Sequence, residues 1–249
     1  MKVVKAKRRF TERSKKHKPM TLADDHKAVA NGVTLFPTQV RPVDHESKLF
    51  KPGANNVKIG SHVAKGKLWA GMPIYMLSLE ERKTCPRVCE NWNRCYGNHM
   101  PFARRWEAGE ALEREIPAQL AQLAKKHPGG FVMRLHILGD FYDSTYAELW
   151  WAMLMQIPQL HIYGYTRREK DSTEGHLIDM MNSRYGMRCR IRWSEREGEM
   201  GRHTTADTSV RGKIDKGIVC PAQTEGDDVC CGNCSLCWST TTPIVFINH

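Results

Sequence analysis

The chain has 249 residues, a formal net charge of +11 at pH 7 and nine cysteines. Its length allows one domain with an apolar core. No apolar run reaches the roughly 20 residues that span a bilayer, and the basic N-terminus lacks the apolar stretch of a secretory signal. An odd cysteine count with Cys230 next to Cys231 argues against a disulfide framework. We therefore expect a cytoplasmic protein with reduced thiols and no membrane contact.

Much of the positive charge is concentrated at the N-terminus. Residues 1–18 hold nine Lys or Arg and one Glu, which supply +8 of the +11. The polar stretch after them is punctuated by proline, so we predict a basic, flexible arm over residues 1–57. Such an arm is either a solvated tail or a segment that follows phosphates by releasing counterions. The second interpretation makes nucleic acid an expected partner.

The predicted core, residues 58–215, alternates strands with helices. Apolar runs indicate strands, and apolar residues spaced three and four apart indicate helices. The predicted strands cover residues 73–79, 131–138, 160–165 and 187–193, and the predicted helices lie near residues 112–123, 144–157 and 173–183. Three strand-helix-strand steps imply parallel strands with right-handed crossovers. We therefore predict an α/β fold, a partial or complete parallel β/α barrel.

Polar groups follow four of these predicted strands. Ligand sites in parallel α/β folds gather at the carboxyl ends of the strands. The groups that fall there are the loop from Cys85 to Cys95, Gly139-Asp140, Thr166-Arg167 and Ser194-Glu195. We expect them to contribute to one site.

The first cysteine group consists of Cys85, Cys89 and Cys95. Thiolates bind soft metals and iron-sulfur clusters, and a four-iron cluster held by three cysteines leaves one iron open. The group is therefore predicted to hold a [4Fe-4S] cluster and to be the catalytic one.

The second group lies in residues 216–249, predicted to be a cysteine-rich C-terminal extension. Cys231, Cys234 and Cys237 are spaced like three cysteines of a bacterial ferredoxin, and Cys220 completes a set of four. Cys230 is an alternative ligand to Cys231. Zinc suits four thiolates equally well. We favour an auxiliary iron-sulfur cluster, with zinc as the alternative, whereas Cys189 in a predicted strand is expected to be a buried apolar residue.

The order of these groups resembles that of radical S-adenosylmethionine (SAM) enzymes, although their usual C-x3-C-x2-C spacing is here C-x3-C-x5-C. The resemblance implies SAM as a cofactor, an external reductant, and a cluster on the first three cysteines. It places Gly139 and Asp140 at the SAM amino group and Ser194 and Glu195 near its ribose. Asp140, Arg167 and Glu195 become the expected catalytic residues, because they would hold SAM or the substrate.

Several motifs resemble the phage "gene product eighty-eight" family, which phages and their bacterial hosts encode. The motifs are Gly60-x-His62-Val63-x-Lys65-Gly66, Cys95-Tyr96-Gly97, Arg134-Leu135-His136-x-Leu138-Gly139-Asp140-Phe141-Tyr142, Tyr165-Thr166-Arg167 and Cys220-Pro221-Ala222-Gln223. The resemblance implies a phage-type protein, and together with the basic arm it points to nucleic-acid metabolism.

The function expected from these features is that of an iron-sulfur protein, a radical SAM-like enzyme acting on a nucleic acid or nucleotide. One alternative is a noncatalytic nucleic-acid-binding protein whose fold is stabilised by zinc or iron-sulfur clusters. Such a protein would bind nucleic acid in a salt-dependent way and would not turn over SAM. The other is an iron-sulfur enzyme or electron-transfer protein that does not use SAM.

Overall fold

The computed structural model describes residues 2–5, 20–195, 201–208, 217–224 and 228–247. Ten strands lie in these ranges: β1 Val40–Arg41, β2 Lys51–Pro52, β3 Ile74–Met76, β4 Arg105–Trp106, β5 Phe131–Leu135, β6 Leu160–Thr166, β7 Cys189–Ser194, β8 Thr204–Thr208, β9 Ile218–Val219 and β10 Ile244–Ile247. The helices are α1 Lys27–Ala30, α2 Glu110–Lys126, α3 Ser144–Gln156, α4 Thr173–Arg184, α5 Pro221–Thr224, α6 Cys231–Cys234 and α7 Leu236–Ser239.

Eight strands form the main sheet, in the order β2-β3-β5-β6-β7-β8-β10-β9. The β2–β3 pair is antiparallel and the other pairs are parallel. A mostly parallel α/β sheet is thus confirmed. No pairing between described strands joins β2 to β9, so a closed barrel is not seen. Strands β1 and β4 form a separate parallel pair.

Helices α2, α3 and α4 provide the crossovers that the sequence predicts. Asp143 begins α3 by accepting from the Tyr146 N–H at 2.8 Å, and Ser172 begins α4 by accepting from the Gly175 N–H at 3.0 Å. Helix α2 ends at Lys126, just before the Pro128-Gly129-Gly130 stop signal. The strands are shorter than predicted at β3 and β5, because their last apolar residues continue into the loops of the site.

The two faces of the sheet are covered differently. Alternate residues of β5 face opposite sides, so Phe131 and Met133 pack in the core with α2–α4, and Val132 packs with Trp69 and Trp238. Cys189 is fully buried, as predicted. The second cysteine group lies on the Trp238 side, where α7 covers β6 and β7.

Strands β9 and β10 make the C-terminal segment part of the main sheet, with β10 between β8 and β9. The segment expected as an extension therefore supplies strands to the core. Within 1–57, Ala28, Val29 and Leu49 are buried, and Val4 exchanges hydrogen bonds with Ser61 at 2.7 and 2.9 Å. The basic stretch 6–19 lies outside the described residues. None of the described helices is long and apolar enough to cross a membrane.

Candidate functional site

A buried ion pair anchors the first cysteine loop. Arg105 donates from Nε to Glu81 Oε2 at 2.5 Å and from Nη2 to Oε1 at 2.9 Å, and both side chains are at most 1% exposed. The guanidinium also donates to the Gly97 carbonyl, and Thr34 Oγ1 donates to Glu81 at 2.7 Å. Buried charges are tolerated when they are paired and hydrogen-bonded in this way. The pair therefore fixes both ends of the loop.

A second arginine organises the interior of the loop. Arg82 is buried and donates to the Trp92 carbonyl at 2.9 Å and to Asn98 Oδ1 at 2.6 Å. Gly97 is required nearby, because a Cβ there would lie 2.5 Å from Glu81 Oε1. These contacts shape the loop without its thiols, and Cys95 Sγ adds a 3.4 Å contact by accepting from the Gly97 N–H.

The three cysteines of this loop are half-buried residues, and their thiols are close enough to interact electrostatically. Burial of the sulfur, then the neighbouring Asp140, raises the pKa of Cys85 well above its usual value. Burial, then Glu81, raises the pKa of Cys95 to about 12. Without a cation these thiols stay protonated at neutral pH, so metal binding must release their protons.

Asp140 joins the loop to two strand ends. Its Oδ1 accepts from the Phe141 N–H and its Oδ2 from the Arg167 N–H, both at 2.8 Å, and the side chain is 4% exposed. Burial raises the pKa of Asp140 to about 6, against the effect of these hydrogen bonds. Gly139 has a φ of +87°, and a Cβ there would lie 2.5 Å from Thr84 Oγ1. The Gly-Asp turn therefore packs directly on the base of the cysteine loop.

The remaining predicted residues extend this line of contacts. Arg167 Nη1 lies 4.0 Å from Glu195 Oε2, and Lys170 Nζ lies 2.7 Å from Glu195 Oε1. Ser194 Oγ lies 3.3 Å from Thr205 Oγ1. The structure therefore brings Cys85, Asp140, Arg167 and Glu195 into one row across neighbouring strand ends.

The second cysteine group is gathered by three short segments. Cys220 comes just before α5, Cys231 and Cys234 are the first and last residues of α6, and Cys237 lies in α7. All four line one small cavity. Cys230 does not line it; a Cβ at Gly60 would lie 2.7 Å from the Cys230 sulfur. Burial, then Cys237, raises the pKa of Cys220 to about 12.

Two tyrosines of β6 contact this group. Tyr165 and Tyr163 are two residues apart and share one face of the strand. The Tyr165 hydroxyl lies 2.8 Å from Cys237 Sγ. The Tyr163 hydroxyl is buried without a hydrogen-bond partner among the described residues, and burial, then Cys231, raises its pKa well above the usual value. Both hydroxyls are placed to donate to thiolate sulfurs, contacts that tune iron-sulfur potentials.

A buried arginine supports the same group from behind. Arg192 is 0% exposed and donates to the carbonyls of five residues: Thr204, Leu236, Cys237, Thr240 and Thr242. No carboxylate in the described ranges forms an ion pair with it. Burial lowers the pKa of Arg192, and the adjacent Cys237 opposes that effect. A buried cation beside thiols fits a group that becomes anionic when it binds a metal.

A pocket of about 250 Å³ lies beside the second cysteine group. The first loop contributes Asn91, Arg94 and Tyr96 to its wall, and the second group contributes Cys220, Cys231 and Cys237. Strands β5, β6 and β10 contribute residues near their carboxyl ends: Arg134, Tyr165 and Phe246. Such strand ends are the usual ligand sites of parallel α/β sheets.

The donor chemistry fits a metal or cluster best at the second group, where four thiols face one cavity beside a buried, unpartnered tyrosine hydroxyl. Across the described ranges, no three or more His, Cys, Asp or Glu side chains are already arranged to hold a metal ion. The thiols are thus assembled without forming a complete coordination sphere.

Sequence reasoning missed the residues that build the site around the cysteines: Glu81, Arg82, Arg105, Arg134, Tyr163, Tyr165, Arg168 and Arg192. Arg168, for example, donates from Nη2 to the Thr84 carbonyl at 2.9 Å and to the Tyr142 carbonyl at 3.0 Å. The alternation of Tyr163 and Tyr165 along a strand was a signal that they share a face, but their contact with distant cysteines depends on how β6 and α7 pack.

Fold and site together define an α/β protein with two cysteine groups, the second of which lines a pocket that residues of the first cysteine loop also line. Comparison of the chain with protein-family models, curated proteins and solved structures found no match.

Proposed function

We propose that this protein is an iron-sulfur enzyme of radical SAM-like type, with a [4Fe-4S] cluster on Cys85, Cys89 and Cys95 and an auxiliary cluster on the second group. The observation that supports this most strongly is one pocket lined both by cysteines of the second group and by three side chains from the loop of the first group, Asn91, Arg94 and Tyr96. Two separate structural metal sites would not require a common cavity. The parallel run of β3, β5, β6, β7 and β8 would then be a partial β/α barrel.

In this proposal the cluster on the first loop supplies an open iron and an electron for reductive cleavage of SAM. Asp140 holds its own turn to the end of β6, because the N–H groups of Phe141 and Arg167 already occupy both of its oxygens. Arg167, Ser194 and Glu195 remain to hold the SAM carboxylate and ribose or the substrate. Tyr163 and Tyr165 donate to the sulfurs of the second group.

The proposed substrate is a nucleotide or nucleic acid, and the basic N-terminal residues would contact phosphates. The enzyme would act in the cytoplasm, where its thiols stay reduced, and would need a reductant as a partner.

The test is anaerobic purification followed by iron, sulfide and zinc analysis and by spectra of the reduced protein with and without SAM. We expect about eight irons per chain if both groups hold four-iron clusters, and a signal perturbed by SAM. Cys85→Ala should remove the SAM-sensitive signal. Cys189→Ala is the matched control, because Cys189 is buried in β7 and lines neither cavity.

Zinc without iron would refute the proposal and favour the metal-stapled nucleic-acid-binding protein, since four thiols suit zinc equally well. Iron whose spectrum ignores SAM would refute the radical mechanism alone and leave an electron-transfer or Lewis-acid role.

A further inference from the structure

The pocket beside the second cysteine group is lined by cationic side chains and by no Asp or Glu of the described residues. The cationic side chains are Lys58, Arg94 and Arg134. A concave wall with cations of one sign concentrates anions. The pocket is therefore electrostatically suited to a negatively charged ligand.

Arg134 is the cation held most rigidly. Its guanidinium lies 4.2 Å from the centre of the Tyr165 ring and 5.4 Å from that of Tyr163, and Nη1 donates to the Leu135 carbonyl at 2.8 Å. Within the described ranges it forms no ion pair, and its other nitrogens donate no hydrogen bond to the protein. A stacked guanidinium with free donors is well suited to binding carboxylate or phosphate.

The rest of the wall is mostly apolar or already hydrogen-bonded. Tyr165 and Phe246 meet edge to face at 5.3 Å, and three isoleucines complete the apolar surface: Ile59, Ile137 and Ile247. Gln223 exchanges two 3.0 Å hydrogen bonds with the main chain of Ile247. Recognition by this wall thus combines one fixed cation with a surface for a flat apolar group.

We propose that the pocket binds a small molecule that carries an oxyanion, phosphate or carboxylate, on a flat ring. The oxyanion lies at Arg134 and the ring against Tyr165 and Phe246. This inference rests on the proposed function in that the ligand would be the enzyme's substrate, but the binding itself requires no SAM chemistry.

The test is calorimetric titration of the full-length, anaerobically purified protein with two matched pairs of probes. One pair is adenosine 5′-monophosphate and adenosine, and the other is indole-3-carboxylate and indole. In at least one pair the anion should bind about tenfold more tightly or better, the usual gain from a charge-assisted hydrogen bond. The pair that shows this gain identifies the anion.

Arg134→Gln should abolish the difference within that pair, and Arg134→Lys should retain part of it by keeping the charge without the planar fork. Arg114→Gln is the matched control, because it removes the same charge from an exposed position on α2. Thermal melting of each variant shows whether it is folded; if Arg134→Gln does not fold, Arg134→Lys with competition by inorganic phosphate supplies the test.

Equal binding of anion and neutral ring in both pairs would overturn the inference, as would full anion preference in Arg134→Gln. Binding of a single-stranded oligonucleotide without binding of any small probe would also overturn it. Metal analysis of the same samples keeps the two proposals apart. If the protein contains iron but shows no preference for the anion, this inference is refuted and the iron-sulfur proposal stands. If the protein contains zinc and prefers the anion, the iron-sulfur proposal is refuted and this inference stands.

Discussion

The loop of the first cysteine group and the cysteines of the second group line the same pocket, but the two groups are supported differently. The first loop is held by side-chain charges, the Glu81–Arg105 pair and Arg82. The second group is held by main-chain carbonyls around Arg192 and by a hydroxyl contact from Tyr165 to Cys237. The thiols take little part in the first support, through one 3.4 Å contact from the Gly97 N–H to Cys95 Sγ, whereas the second support is made of contacts to the thiol-bearing helices themselves.

This difference suggests a division of roles. A loop whose shape is set mainly by side chains other than its ligands can keep an open coordination position, as a catalytic cluster requires. A group whose ligands also form the packing contacts behaves as a structural or auxiliary site, in which binding energy is also folding energy.

The largest expected effect on activity and metal content comes from replacing one cysteine in each group. Cys85→Ser should abolish activity and lower the iron content with little change in melting temperature. Cys234→Ser should lower both the iron content and the melting temperature. The measurements are iron analysis and thermal melting of the anaerobic protein.

Cys230→Ser is the matched control for the second group, because this buried cysteine does not line the cavity. Equal destabilisation by Cys85→Ser and Cys234→Ser would contradict the division of roles.

The next effect concerns the charge support of the first loop. Arg105→Met leaves Glu81 buried without its partner, so the free energy of unfolding should fall by about 3–5 kcal/mol. Urea unfolding measures it. Arg104→Met is the control, because Arg104 is exposed and its guanidinium lies over Trp106, 5.4 Å from the ring centre. The double variant Glu81→Gln/Arg105→Met should recover part of the loss; no recovery would mean that the charge pair is not the cause.

Sequence patterns predicted the elements that depend on local chemistry. Helix α3, predicted near residues 144–157, and helix α4, predicted near residues 173–183, follow from apolar residues spaced three and four apart. The position of β10 between β8 and β9 did not, because spatial order in a sheet is set by packing and not by chain order.

The surroundings of the cysteines were missed for the same reason. Arg192 binds carbonyls about 12 to 50 residues away in the chain, and Arg134 meets Tyr165 only through the register of β5 and β6. The sequence around a single arginine in a strand does not show whether its side chain is buried and hydrogen-bonded or exposed to solvent.

Acid should affect the support of the first group. His136 is buried beside the turn that carries Asp140, and burial lowers its pKa to about 3. Between pH 6.5 and 3 the histidine is protonated in the unfolded chain but not in the folded protein, so the free energy of unfolding falls as pH decreases. From pH 7 to pH 5 the histidine lowers the free energy of unfolding by about 2 kcal/mol. Protonation of Asp140, whose pKa is about 6, acts in the opposite direction and offsets part of it.

Urea unfolding of His136→Gln at both pH values isolates the histidine contribution, since its loss of stability on acidification should be smaller than that of the wild type. His45→Gln, at a side chain that is 87% exposed, should behave like the wild type. An unchanged pH dependence in His136→Gln would show that the histidine is not the titrating group.

The smallest effect tests the support of the second group. Tyr165→Phe removes the hydroxyl at Cys237 and should cost about 1 kcal/mol of stability, the usual value of one hydrogen bond. Hydrogen bonds to cluster sulfurs also set the reduction potential, so redox titration should show one of two cluster signals shifted to lower potential. Tyr75→Phe loses a comparable 2.8 Å hydrogen bond, to His127, away from both groups. If both variants lose the same stability but only Tyr165→Phe shifts a reduction potential, the shifted signal belongs to the second group. If neither variant shifts a potential, Tyr165 is a packing residue.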